Sequence, residues 1–228
     1  MWVKVCGITN EEDALMAVAL GADAIGFVFA ASPRQVSVGA VRDIVKRLPP
    51  EVLTIGVFRD HSPDIVIEAV HDARLGGAQL HGHETPAQAA EVRPHVKALF
   101  VALAAGSPAL ARAEEYPADA ILLDAPTPGG GKVFDWSLAE GLPVGQRWIL
   151  AGGLTPDNVG DAIRQVHPWG VDVSSGVERE VGRKDPLLVR DFVHRAHEAA
   201  AAGDDTAGTG EDDPDSLPFD WQDTGELR

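Results

Sequence analysis

The sequence has few of the features that mark secreted, membrane or nucleic-acid-binding proteins. A single cysteine, Cys6, excludes an internal disulfide and fits a reducing cytoplasm. No run approaches the roughly 20 consecutive apolar residues that a membrane-spanning helix needs, and the opening segment WVKVCGIT lacks the basic and apolar regions of a secretory signal. With 19 Lys and Arg against 35 Asp and Glu, the net charge is −16, which argues against nucleic acid as a partner. We therefore expect a cytoplasmic protein with no membrane and no nucleic-acid partner.

Part of the acidity is concentrated in the last segment, which reads GDDTAGTGEDDPDSLPFDWQDTGELR. This segment has too few apolar residues to bury the surface that would order it. We predict a disordered, solubilising tail over residues 203–228, although its PFDW stretch leaves docking onto another surface open. No low-complexity linker divides the rest, so residues 1–202 are predicted to form one catalytic domain.

The body of the chain alternates short apolar runs with amphipathic stretches. Eight runs are strand candidates, at residues 3–6, 24–29, 53–58, 78–81, 96–101, 120–124, 148–151 and 171–174. Helix start signals lie between them, including two capping-box patterns that begin at Thr9 and Thr85. Eight strand–helix units in about 200 residues are typical of an α/β protein of the (β/α)8 TIM-barrel class. The alternative is an open doubly wound sheet, but no G-x-G-x-x-G follows the first strand.

In a (β/α)8 barrel the active site lies where the strands end, so polar and small residues at those points are the candidates. Gly152 and Gly153 end the seventh strand, and Ser174, Ser175 and Gly176 end the eighth. Barrels often bind phosphate between these two loops, because glycine lets the backbone approach a ligand and serine adds a donor. The residues therefore predict a phosphorylated small-molecule substrate, which backbone N–H groups can hold without net positive charge.

Cys6 ends the first strand and Asp124 the sixth. A free cysteine is usually a buried small hydrophobic residue, but at a strand end beside Gly7 a reactive thiolate is also reasonable. Asp124 would either cap a turn or serve as a desolvated acid that donates a proton. Facing each other across a barrel mouth, the two would supply a base and an acid.

Three further residues have competing interpretations. His81 and His83 form an H-x-H pattern that would suit a metal, but apart from Asp124 no third ligand stands at a matching strand end. We therefore expect no metal, a hydrogen-bonding His81 at the substrate site and a surface His83. Arg34 would either clamp a carboxylate with two hydrogen bonds or lie exposed in its loop.

Taken together, these residues resemble the phosphoribosylanthranilate isomerase family of tryptophan biosynthesis. The resemblance rests on several motifs in order: VKVCGIT, GADAIGFVFAASPRQVS, IGVFRD, QLHGHE, ILLDA, GKVFDW, LAGGLTPDNV, VDVSSGVERE and GRKD. It implies an Amadori rearrangement of N-(5-phosphoribosyl)anthranilate to 1-(2-carboxyphenylamino)-1-deoxyribulose 5-phosphate, with no cofactor. Cys6 then matches the family's general base and Asp124 its general acid, while Arg34 matches the residue that holds the anthranilate carboxylate. The phosphate-binding loops match Gly152, Gly153, Ser175 and Gly176.

The segment after the sixth strand departs from this family. The family commonly has a Gly-Gly-Ser/Thr-Gly-Lys loop there, whereas this chain has PGGGK at residues 128–132 and lacks the hydroxyl residue. Three rival functions remain. The first is the related histidine-pathway isomerase, which uses an Asp where Cys6 stands, or an isomerase that acts on both substrates. The others are a metal-dependent hydrolase and a barrel that binds a phosphorylated ligand without turnover. We expect the chain to be a monomer.

Overall fold

The computed structural model describes residues 1–125, 136–139 and 145–204, and its centre is a closed barrel of eight parallel strands. The strands are β1 (Trp2–Val5), β2 (Ala24–Val28), β3 (Leu53–Phe58), β4 (Gly77–Leu80), β5 (Ala98–Ala104), β6 (Ala120–Asp124), β7 (Trp148–Leu150) and β8 (Gly170–Val173). Each strand pairs with the next, and β8 pairs with β1 to close the ring. The predicted (β/α)8 barrel is therefore confirmed, with strand bounds within a few residues of those expected.

Helices occupy most of the connections. They are α1 (Glu11–Ala19), α2 (Val38–Val45), α3 (Pro63–Ala73), α4 (Pro86–Val92), α5 (Val159–Val166) and α6 (Pro186–Asp204). Short 3-10 helices at Pro108–Glu115 and Trp136–Ala139 take the places after β5 and β6. Two short strands, β9 (Glu178–Glu180) and β10 (Arg183–Lys184), form an antiparallel hairpin after β8 that the sequence did not predict.

One of the two predicted capping boxes is confirmed. Thr85 caps α4, and Gln88 completes its box. The prediction for Thr9 is wrong, because Asn10 caps α1 by accepting a hydrogen bond from the Asp13 N–H at 2.9 Å. The Thr9 hydroxyl instead donates to the Gly182 carbonyl at 2.6 Å and ties the start of α1 to the hairpin.

Apolar side chains fill the interior of the barrel at the N-terminal ends of the strands. Alternate strand residues point inward, and the lower inward positions form an apolar cluster of Trp2, Ala24, Leu53, Ile55, Ala98, Phe100, Ala102, Ala120, Leu122, Ile149 and Ala151. Trp2 stacks on Trp169 at 5.0 Å between ring centroids and closes this end. A larger apolar layer lies between the strands and the helices.

The next inward positions are polar. Two residues beyond Trp2 on the same strand comes Lys4, and two residues beyond Leu122 comes Asp124. Gln79 on β4 and Asp172 on β8 are buried as well. A polar layer therefore lies on the apolar floor, at the carboxyl ends of the strands.

Two sequence predictions concern segments outside the described residues. The PGGGK loop at 128–132 is one, and the tail is the other, apart from the first two of its residues. The backbone of α6 continues to Asp204, two residues past the predicted end of the catalytic domain at residue 202. Among the described helices, none is long and apolar enough to cross a membrane.

Candidate active site

A cavity of about 390 Å³ opens at the carboxyl ends of the barrel strands. Every site residue predicted from the sequence lines it: Cys6, Arg34, His81, Asp124, Gly152, Gly153, Ser174, Ser175 and Gly176. Gln79 and Asp172 line it too, and sequence reasoning missed both. The barrel thus brings together residues spread over 170 positions of the chain.

Asp124 is held from two sides. Its Oδ1 accepts the Ala125 N–H at 2.7 Å, and its Oδ2 lies 2.9 Å from Nε2 of His81. The Asp124 carboxyl group therefore caps the turn after β6 and lines the cavity at the same time, and its role as a proton donor stays a prediction. Its side chain is 9% exposed.

His81 connects Asp124 to a buried amide. Nδ1 of His81 lies 2.9 Å from Nε2 of Gln79, which can only donate. Nε2 of the ring lies 2.9 Å from Oδ2 of Asp124, so the imidazole is held at both of its nitrogens. Gln79 is fully buried, and within the described ranges its Oε1 has no hydrogen-bond partner.

Cys6 is buried at the end of β1, 8% exposed, where its own N–H bonds the Val173 carbonyl at 2.8 Å. Gly26 on β2 makes room for the thiol, because a Cβ at that position would lie 2.7 Å from Sγ. Burial raises the pKa of the Cys6 thiol above its ordinary value; the charge of Lys4 opposes this rise, and the charge of Asp172 adds to it.

Arg34 is not an exposed loop residue, since its side chain is 19% exposed and paired. Its Nε and Nη2 donate to the two oxygens of Glu178, each at 2.7 Å. Gly7, at φ +72°, allows this approach, because a Cβ there would lie 2.6 Å from Cδ of Arg34. One edge of the guanidinium is thus occupied by the protein, and a ligand carboxylate would have to use the other edge.

Glu178 also binds a second cation. Nζ of Lys184 donates to Glu178 and to the Ser174 carbonyl, both at 3.0 Å. Burial alone would raise the pKa of Glu178, but the hydrogen bond from Arg34 and the charge of Lys184 hold it below its usual value. Burial lowers the pKa of Lys184. This network fastens the hairpin of β9 and β10 to the loop that follows β8.

The loops after β7 and β8 meet closely. Gly152 and Gly153 have φ of +82° and +71°, conformations that favour glycine. A Cβ on Gly176 would lie 1.8 Å from the Leu154 carbonyl oxygen, so only glycine fits where the two loops touch. Asn158 supports the first loop by donating to the Gly153 carbonyl at 3.0 Å.

The H-x-H pattern does not assemble a metal site. His83 lies outside the cavity lining with an 85% exposed side chain and pairs with Asp60, while His81 contacts Asp124. In the part of the chain that the structure describes, no group of three or more His, Cys, Asp or Glu residues is placed to hold a metal ion.

Five site-region residues escaped sequence reasoning: Lys4, Gln79, Asp172, Glu178 and Lys184. A signal for two of them was present, because Lys4 and Asp172 are charged residues inside otherwise apolar strands. In a barrel such a residue points either to the core or to the helices, and an inward charge needs a partner. No local pattern marked Glu178 and Lys184 as site residues, because charged residues in a hairpin are usually exposed to solvent.

Comparison with known proteins gives one consistent family. The family model described as "N-(5'phosphoribosyl)anthranilate (PRA) isomerase" matches residues 3–195. The N-(5'-phosphoribosyl)anthranilate isomerase of Desulforudis audaxviator is 48% identical over 201 residues, covering 86% of this chain and 98% of the relative.

Solved structures agree. A phosphoribosyl anthranilate isomerase in complex with reduced 1-(o-carboxyphenylamino)-1-deoxyribulose 5-phosphate superposes with a TM-score of 0.76 at 36% identity, covering 87% of this chain and 99% of that one. A Thermotoga maritima structure, described as monomers generated from the dimeric enzyme, gives 0.77 at 37% identity with the same coverage.

Proposed function

The chain belongs to the N-(5'-phosphoribosyl)anthranilate isomerase family, and on that premise we propose that Cys6 and Asp124 are the base and the acid of its reaction. The chain is an isomerase of tryptophan biosynthesis that converts N-(5-phosphoribosyl)anthranilate to 1-(2-carboxyphenylamino)-1-deoxyribulose 5-phosphate. The main support for this assignment is that Cys6, Asp124 and the loops after β7 and β8 line the same cavity.

The acid step opens the sugar ring. Asp124 delivers a proton to the furanose ring oxygen as the bond between that oxygen and C1′ breaks. The nitrogen lone pair then forms the C1′=N bond of a Schiff base. His81 orients the carboxyl group through its 2.9 Å contact, and Gln79 fixes the His81 ring.

The base step moves the double bond. The Cys6 thiolate removes the proton from C2′, the C2′ electrons form the C1′=C2′ bond, and the C1′=N electrons return to nitrogen. The resulting enolamine tautomerises to the ketone when C1′ takes up a proton and the C2′ hydroxyl loses one. In this rearrangement C1′ is reduced and C2′ is oxidised within one molecule, so the reaction needs no external electron acceptor. The absence of a cofactor stays a prediction.

Binding groups surround these two residues. We assign the substrate phosphate to the loops carrying Gly152, Gly153, Ser174, Ser175 and Gly176, which line the cavity and whose glycines permit close approach. The free edge of Arg34 takes the carboxylate of the aromatic ring, with its other edge held by Glu178.

A fluorescence assay that follows the loss of freshly prepared phosphoribosylanthranilate tests the assignment. Asp124→Asn and Cys6→Ser are each expected to lower kcat by about 10²–10⁴-fold, the usual contribution of general acid or base catalysis. Asp72→Asn, an exposed carboxylate on α3, is the matched control and should behave as wild type. Near-normal turnover by either site variant removes that residue from the mechanism, and inactive wild type directs the test to the histidine-pathway substrate.

We propose further that residues 1–202 form the catalytic domain and that the chain works as a monomer. The Thermotoga maritima relative is described as dimeric, so the assembly state needs its own measurement. Light scattering of the full chain should give about the 24.1 kDa of one copy, and twice that mass would refute the monomer. The cytoplasmic location also stays a prediction.

A further inference from the structure

Lys4 and Asp172 form a buried ion pair beneath the cavity. Nζ of Lys4 lies 2.8 Å from Oδ1 of Asp172, and the Lys4 side chain is completely buried. The two residues face each other because they are register partners in the pairing of β1 with β8. Both point inward, at the level where the barrel interior becomes polar.

The Lys4 side chain of this pair lies beside Cys6. Lys4 and Cys6 are two positions apart on one strand, so their side chains share a face. A Cβ on Gly26 would lie 2.7 Å from Sγ of Cys6 and 3.2 Å from Cε of Lys4, which places both groups around one point of β2. Lys4 donates to Asp172, and its charge acts on the neighbouring thiol by lowering the pKa of Cys6.

An arrangement of this kind is poorly suited to stability alone. Taking two charges out of water costs several kcal/mol per ion, and apolar residues of similar volume often serve as well or better. A thiolate next to an ammonium group, in contrast, gains strongly from the same low-dielectric surroundings. The charged groups that act on Cys6 are Lys4 on β1, Asp172 on β8, Lys184 on β10 and Arg34 after β2.

We propose that Lys4 is a positioning residue that stabilises the Cys6 thiolate, and that Asp172 holds Lys4 in place while limiting the strength of this effect. The inference deepens the proposed function, since it rests on Cys6 as the base. The direction of each influence is clear: the charge of Lys4 lowers the pKa of the Cys6 thiol, and the charge of Asp172 raises it. Burial acts in the same direction as Asp172 and outweighs Lys4, so the charge of Lys4 limits how far the pKa of the thiol rises.

The test uses the fact that Cys6 is the only cysteine. Thiolate absorbance in the ultraviolet and the rate of alkylation by iodoacetamide, each followed against pH in the full-length ligand-free protein, report on this thiol alone. The Cys6→Ser spectrum at each pH is subtracted to remove tyrosine ionisation. Lys46→Met, at the exposed lysine that follows α2, is the matched control and should leave the titration unchanged.

Two substitutions that break the same ion pair are expected to act in opposite directions. Lys4→Met should raise the pKa of the thiol and slow alkylation at neutral pH by about tenfold or more, since each pKa unit is a factor of ten in thiolate. Asp172→Asn should lower the pKa and speed alkylation. Lys4→Arg keeps the charge and should restore most of the thiolate. In kinetics, Lys4→Met should lower kcat more than it changes KM and move the acidic limb of the rate profile to higher pH.

Shifts in the same direction for Lys4→Met and Asp172→Asn would show a merely structural pair and overturn the proposal, as would an unchanged titration in Lys4→Met. If Lys4→Met does not fold, Asp172→Asn decides alone: a lower pKa supports the proposal, and an unchanged or higher one overturns it. The titration involves no substrate, so its result is independent of whether Cys6→Ser retains turnover, and the two failures can be told apart.

Discussion

Gly176 lies where the loops after β7 and β8 touch, and replacing it by alanine is a direct test of that contact. The added Cβ would lie 1.8 Å from the carbonyl oxygen of Leu154 and 2.9 Å from its carbonyl carbon. Both are backbone atoms, so no side-chain rotation relieves the overlap and one loop has to move. Overpacking of this kind costs about 1–3 kcal/mol of the free energy of unfolding.

The same displacement disturbs the loops assigned to the phosphate. A hydrogen bond from the backbone to a charged group contributes about 1.5–3 kcal/mol, so losing one should raise KM by about ten- to hundredfold. The stability change is measured by urea unfolding, and KM by the fluorescence assay. Gly176→Ala with unchanged KM would refute the phosphate assignment of this loop, and unchanged stability would refute the packing argument.

Gly39→Ala is the matched control for this substitution. Gly39 lies in α2, and a Cβ there meets nothing within 4 Å. Alanine is the better helix former, so this variant should gain about 0.5–1 kcal/mol. Its KM should equal that of the wild type, since α2 is remote from the cavity lining.

The network around Arg34 supports two further predictions. Arg34→Ala should raise KM with a smaller effect on kcat. Glu178→Gln should have the same effect but more weakly, because it loosens the Arg34 guanidinium without removing it. Unchanged KM values in both variants would exclude a carboxylate clamp. Glu178 has a lowered pKa in the folded chain, so the stability it contributes is present above its unfolded pKa of about 4.3 and is lost as pH falls through the lower folded value. The unfolding free energy of wild type minus that of Glu178→Gln, measured by urea unfolding at several pH values, should shrink below about pH 4; a difference that grows on acidification would contradict the assigned direction.

The barrel could be predicted from the sequence because each of its units is specified locally. Apolar runs of strand length alternate with amphipathic stretches, and start signals such as the Thr85 capping box mark where helices begin. Once the barrel is assumed, the rule that chemistry lies at strand ends brings Cys6 and Asp124 into one cavity without any distance information.

The parts that escaped prediction depend on contacts between distant segments. Lys4 and Asp172 are 168 positions apart, and their pairing requires the register of β1 against β8. Glu178 lies 144 positions from Arg34 and occupies half of its guanidinium. Thr9 looked like a helix cap, but its hydroxyl bonds the hairpin at Gly182 instead, a tertiary contact that no local pattern contains.

The pairing of β1 with β8 has a consequence for how the chain acquires its chemistry. During synthesis β1 leaves the ribosome well before β8, and a domain generally folds as a unit, so the ring cannot close before β8 is available. Until β8 docks, Cys6 lacks its backbone contact with Val173 and Lys4 lacks its partner Asp172. The reactivity of this single thiol should therefore report closure of the barrel. A time course of Cys6 alkylation during refolding would measure when β8 pairs with β1.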